Sequence, residues 1–201
     1  NSPVQQDAAP GRFKYRDVDG DGKISTSDRT FIGNPNPTFN YGLNLSVGYK
    51  NFDFSMILYG SQGNDVYNSL RSTITHWNDF PQALSNDLVF NSWTPQNRNA
   101  KAPIAENSSN FSSGGGSFYV ENGSFLKCRS LILGYSIAPA LMDRLGISKL
   151  RIYVQAANLF CITKYSGLDP ELQGSSQAFG IDNSNYPNNF RNYNVGVNLQ
   201  F

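Results

Sequence analysis

Between Phe39 and Tyr49 the chain alternates strictly between apolar and polar residues. Phe39, Tyr41, Leu43, Leu45, Val47 and Tyr49 fall on one side, and Asn40, Gly42, Asn44, Ser46 and Gly48 on the other. A period of two predicts a strand with one apolar and one polar face. The pattern returns at the end of the sequence, where Tyr193, Val195, Val197, Leu199 and Phe201 alternate with Asn194, Gly196, Asn198 and Gln200. Lys50-Asn51 makes a tight turn, and a return strand follows with Phe52, Phe54, Met56 and Leu58 on one face. Leu131, Leu133, Tyr135 and Ile137 oppose Ser130, Gly134 and Ser136, with Ile132 breaking the polar face. A fifth strand sets Leu150, Ile152, Val154 and Ala156 against Arg151, Tyr153 and Gln155. A shorter one is predicted at "GRFKYRD", from Gly11 to Asp17.

The chain is therefore expected to be all-β and antiparallel, with connections of two kinds. Lys50-Asn51 is tiny and Ala138 to Ser148 moderate, whereas Asp17–Pro37, Ser61–Val120 and Thr163–Asn189 are long and rich in Asn, Ser, Gly and Pro. Compact domains rarely carry structureless loops of that size, but outer-membrane barrels carry them on their extracellular side. Aromatic residues bracket the aliphatic middle of Phe39–Tyr49, as in the girdles that flank a lipid-facing band. The polar faces hold Asn, Gly and Ser with few charges, which favours a barrel wall over a solvated sheet. The alternative is a secreted β-sandwich, stabilised by calcium and binding carbohydrate, whose apolar faces meet in a core. Closing a membrane barrel takes roughly eight strands or more. The strands readable here are too few, so residues 1–201 are expected to be one segment of a larger barrel.

A net charge of +1 with 15% charged residues leaves no electrostatic footprint for nucleic acid. No apolar run approaches the ~18 residues of a membrane-spanning helix, a count that does not bear on strands. Cys128 and Cys161 match no zinc spacing and are expected as small packing residues, with a disulfide left open. His76 is the single histidine, which argues against zinc sites and histidine-based triads. No carboxylate pair or nucleophile motif stands out, and no enzymatic chemistry is expected.

One motif carries specific chemistry. Asp17 to Asp28 reads "DVDGDGKISTSD". Calcium needs about six to eight oxygen ligands, and this spacing offers carboxylates from Asp17, Asp19 and Asp21, a carbonyl from Lys23 and closure by Asp28. Gly22 permits the sharp turn, Ile24 packs inward, and Ser25 acts directly or through water. Position 12 is Asp rather than Glu, so its shorter arm weakens bidentate closure. The sequence on neither side is helical: "GRFKYR" alternates and "RTFIGNPNP" holds proline and glycine. Without a helix pair to open, the loop is expected to be a clip rather than a switch. Trp77 and Asp79, in "HWNDF", and Trp93, in "NSWTP", share the 61–120 loop. Aromatic faces stack on sugars and Asp side chains bond their hydroxyls, so these three are candidate substrate contacts, or else the two tryptophans are apolar anchors of the loop. "NSSNFSSGGGS", from Asn107 to Ser117, reads as flexible.

The stretches "GNPNPTFNYGLN", "SQGND" and "TKYSGLDPE", together with the closing "YNVGVNLQF", resemble the C-terminal part of SusC/RagA-type TonB-dependent outer-membrane transporters. The resemblance implies a 22-stranded barrel with an N-terminal plug in the outer membrane of a Gram-negative bacterium. It implies a SusD-like surface lipoprotein as lid, and import of oligosaccharides or peptides driven by the TonB complex through regions outside this chain. The last strand, residues 190–201, would run towards the periplasm, and Phe201 resembles a barrel-assembly signal. Every long connection, including the 17–28 loop and the 61–120 loop, then falls outside the cell and every short one inside.

Overall fold

A computed structural model describes residues 3–75, 84–106, 116–138, 146–172, 178–183 and 190–201. In chain order the strands are β1 (Phe39–Tyr49), β2 (Phe52–Gln62), β3 (Asp65–Asn68), β4 (Val120–Asn122), β5 (Phe125–Ser136), β6 (Lys149–Ala157), β7 (Cys161–Thr163), β8 (Ile181–Asp182) and β9 (Asn192–Gln200). Two short helices, α1 (Ser69–Ile74) and α2 (Asn86–Asn91), lie between β3 and β4. The chain divides into two compact units.

The first comprises Pro35–Asp65, Asn122–Gln173 and Tyr186–Phe201. It holds one antiparallel sheet in the order β1-β2-β5-β6-β9, with β7 also pairing with β5. The period-two pattern predicts β1, β2, β5, β6 and β9, but not β7. Lys50 turns β1 into β2 with φ of 51°, and the Asn51 carbonyl accepts from the Ser136 amide at 2.8 Å. The register lines the apolar residues into rows across the sheet. Val47, Phe54, Leu133, Val154 and Val195 form one row, and Tyr49, Phe52, Tyr135, Ile152 and Val197 the next. Most of this face is open: Val195 is 77% exposed, Val47 52% and Val154 46%. Exposure of that kind is not what the inner face of a sandwich would show. Aromatic residues crowd both rims, with Phe39 and Tyr41 at one and Phe52 and Tyr135 at the other, the latter rings 4.7 Å apart. At ~3.3 Å per residue and a tilt of ~40°, the span from Phe39 to Tyr49 rises about 25 Å, the height of a lipid-facing band. The outer edges of β1 and β9 pair with no described strand. Long, flat, unpaired apolar edges do not persist in water, so the sheet is built to continue on both sides.

The polar face has its own order. The Arg151 guanidinium reaches over β5 to Asp53 on β2, with Nε 2.8 Å from Oδ1. It passes above Gly134, where a Cβ would stand 2.4 Å from Arg151 Nη2 and 2.5 Å from Asp53 Oδ1. Glycine leaves room for the crossing charge, and any larger residue would push the Arg151 and Asp53 side chains aside.

The second unit comprises Asn1–Asn34, Val66–Glu121 and Gly174–Asn185. The 61–120 connection is not structureless, contrary to the sequence expectation. It carries β3, α1 and α2 around a small core in which Tyr119, Val66 and Leu88 are each at most 2% exposed. Asn68 caps α1 by accepting from the Arg71 amide at 2.8 Å, and Ser85 caps α2 through the Leu88 amide. The Thr75 hydroxyl donates to Tyr119 Oη at 3.1 Å. Burial pushes the Tyr119 phenol above its ordinary range. The strand expected at Gly11–Asp17 does not form. Its backbone partner is a side chain: Gln5 donates to the Phe13 carbonyl and accepts from the Tyr15 amide. Phe13 then packs on Phe118 and Tyr119. His76, Trp77 and Asp79 fall outside the described residues, as do most of Asn107–Ser117 and of Ala138–Ser148.

Candidate functional site: an acidic loop and a charged cluster on the sheet

The loop from Asp17 to Asp28 curls on itself through backbone N–H groups. Asp17 accepts from the Gly20 and Gly22 amides at 2.7 and 2.9 Å, Asp19 from Asp21, and Asp21 from Lys23. Gly22 has φ of 82°, the left-handed conformation expected at that position. The ligand oxygens of Asp17, Asp19 and Asp21 converge to within 4.8 Å of one another. That spacing and hard-oxygen chemistry fit a calcium ion. Asp28 sits outside this convergent set and closes the loop differently. Its oxygens accept from the Val18 and Ser25 amides, both at 2.7 Å, and these bonds hold its carboxyl below the usual range. With Ser25 it forms a capping box on one 3-10 turn, Thr26–Asp28. No α-helix flanks the loop. Val4 instead brackets Lys23, donating to the Gly22 carbonyl at 2.9 Å and accepting from the Ile24 amide at 3.0 Å, and Ile24 is half-buried.

Trp93 is half-buried, and its ring lies against Gly11, where a Cβ would stand 2.6 Å from it. Phe201 continues the apolar face of β9 and is 85% exposed. Cys128 and Cys161 are both free. Lys127 opposes Cys161 in the register, so the neighbouring Cys128 projects to the other face of the sheet.

Sequence reasoning missed a second site on the sheet. Lys127, 1% exposed, donates to Asp169 Oδ1 at 3.1 Å and to Glu171 Oε2 at 2.8 Å. Glu171 also takes Arg129, whose guanidinium lies 4.7 Å above the Tyr59 ring. A β-bulge makes this possible. Ile57 opposes Ser130 while Leu58 opposes Cys128, leaving Arg129 as the extra residue. Strict alternation back from Leu131 would put Arg129 and Lys127 on the apolar face; one added residue moves them to the polar face. On the facing segment Asn158, with φ of 52°, breaks β6 from β7 beside the same point, its amide bonded to the Arg129 carbonyl. Cations at apolar-phase positions of a strand were the signal available in the sequence.

One apolar face open to its surroundings, two edges unpaired among the described residues and charges withdrawn to the other face define a piece of transmembrane barrel wall. The chain is 34% identical to TonB-dependent receptor P3 of Formosa agariphila over 205 residues, 97% of this chain and 19% of that receptor. It is 30% identical to TonB-dependent receptor SusC of Bacteroides thetaiotaomicron over 198 residues, 98% of this chain and 18% of SusC. The solved RagAB peptide transporter superposes with a TM-score of 0.74 at 26% identity, covering 90% of this chain and 19% of that one. The RagAB peptide importer in its closed-closed state gives 0.73 at 26% identity, covering 92% and 20%. No protein-family model matches. These likenesses place the chain among the TonB-dependent receptors of the SusC/RagA type, and it spans about a fifth of the length of the relatives it matches.

Proposed function

We propose that this chain forms part of the barrel wall and extracellular loops of a TonB-dependent importer in the outer membrane of a Gram-negative bacterium. The observation that carries the reading is the continuous exposed apolar face of β1-β2-β5-β6-β9, rimmed by aromatic residues and open at both edges. Likeness to SusC and to RagAB supports it. The full barrel would have 22 strands and a plug, would work with a SusD-like surface lipoprotein and the TonB complex, and would take oligosaccharides or peptides. It is a transporter without enzymatic chemistry, in keeping with relatives named as receptors and importers. Phe201, at the end of the apolar face, serves barrel assembly. Fractionation of cells producing the full transporter tests the reading. Recovery in the outer membrane, with heat-modifiable migration and uptake that stops when TonB is removed, supports it. A soluble monomer without detergent refutes it.

The loop at 17–28 serves as a structural calcium clip, with Asp17, Asp19, Asp21 and the Lys23 carbonyl as ligands and Asp28 tying its ends. The convergence of the three carboxylates supports this. Extracellular calcium is abundant enough to fill even a weak site. Calorimetric titration of the intact transporter should show uptake that the Asp17→Ala/Asp19→Ala variant loses. Equal uptake by both would exclude this loop.

A further inference from the structure

The cluster around Lys127 has a buried end and an open end. Lys127 and Asp169 have side chains 2% and 7% exposed, and Glu171 is 29% exposed. Arg129, at 45%, is the member that meets solvent. The carboxylate oxygens are turned inward. Asp169 Oδ1 accepts from Lys127 and from the Glu171 amide, and Asp169 Oδ2 from Lys127. Glu171 Oε2 accepts from Lys127 and Oε1 from Arg129. Arg129 spends one nitrogen, Nη2, on Glu171 and rests on Tyr59; its Nε and Nη1 have no partner among the described residues. What the cluster offers outward is therefore a set of N–H donors on a guanidinium whose position is fixed from behind. Tyr59 lies in the polar row, opposite Lys127. Nη2 carries a second hydrogen, and together with Nε–H or Nη1–H it makes a fork that matches a carboxylate in geometry as well as charge. A bulge that re-aims a side chain is the local device expected at a recognition site.

We propose that Arg129, held on Tyr59 by Glu171 and through it by Lys127, is a contact for carboxylate groups of the imported solute on the polar wall of the barrel. The inference rests on the importer reading. Arg129 is the contacting residue, and Lys127 and Glu171 are positioning residues.

The carboxylate can belong to a peptide or to an acidic sugar, and the test separates the two. The full transporter is purified in detergent and titrated with two matched pairs of probes. One pair is a short peptide with a free C-terminal carboxylate and its amide; the other is an oligouronate and a neutral oligosaccharide of equal length. The wild type is expected to prefer the carboxylate member of one pair by about tenfold, the weight of one charge-assisted hydrogen bond. Arg129→Gln is expected to lose that preference, and Arg129→Lys to recover part of it. Heat-modifiable migration confirms that each variant is folded. A folded Arg129→Gln barrel with the wild-type preference overturns the assignment, as does a wild type with no preference in either pair. Neither result touches the importer reading, which fails instead if uptake does not depend on TonB.

Discussion

Removing the Lys127 ammonium should destabilise the barrel far more than removing an ordinary surface charge. In Lys127→Met the aliphatic stem is kept and the charge is lost. Three contacts to carboxylate oxygens disappear, at 3.1 and 3.3 Å on Asp169 and 2.8 Å on Glu171. Glu171 keeps Arg129 as a partner, so the uncompensated charge falls on Asp169, which is 7% exposed at its side chain. Breaking a buried pair from one side costs about 3–5 kcal/mol. Because one carboxylate stays paired, the lower end is expected, about 3 kcal/mol, or roughly a hundredfold in the folding equilibrium. Adding Asp169→Asn removes the stranded charge. The double variant should then lose less than the sum of the single ones, by about 1 kcal/mol or more. Urea titration of the full transporter in detergent micelles, followed by its heat-modifiable gel shift, measures all three. A loss under about 1 kcal/mol in Lys127→Met, or strict additivity with Asp169→Asn, would refute the buried-cluster reasoning.

Three further outcomes follow from the same geometry. Gly134→Val places side-chain atoms in the path of Arg151 and should cost about 1–3 kcal/mol in the urea assay, whereas Gly48→Val, with open space around its Cα, should cost much less. Leu45→Arg, on the apolar face, should cost about 2–4 kcal/mol in the same measurement, and Ser46→Arg, on the polar face, close to none. Tyr119 has its phenol pKa raised by burial, so its contribution to the loop unit is complete below the ordinary phenol range and is lost as pH rises through the folded value. Absorbance at the phenolate band should therefore show a late-titrating tyrosine that Tyr119→Phe removes.

The sheet was legible wherever alternation is strict. In β1 and β9 every second residue is apolar, and nothing competes with that period. In β5 the first half was not legible, because the bulge at Arg129 shifts the phase by one residue. A period-two reading has no term for an inserted residue. The motif that contains Asp169 and Glu171 was conspicuous in the sequence, yet its link to Lys127 spans some forty residues and leaves no local trace. The same holds for the loop core. Val66, Leu88 and Tyr119 meet through non-local packing, so the 61–120 stretch read as structureless when it is not. At Gly11–Asp17 the alternation was real but no strand was available to pair with it, and Gln5 took the backbone groups instead. The acidic loop was legible in composition and turn, since Gly22 adopts the expected left-handed conformation. The engagement of Asp28 with Val18 and Ser25 belongs to a capping box that the metal motif concealed.

The central claim is that one face of this sheet meets lipid. Single cysteines placed in turn from Leu43 to Val47 of the full transporter, labelled with a fluorophore and reconstituted in vesicles of brominated lipid, test it most directly. Quenching is expected to alternate along β1, strong at Leu43, Leu45 and Val47 and weak at Asn44 and Ser46. Uniform quenching, or strong quenching at Asn44 and Ser46 instead, would contradict it.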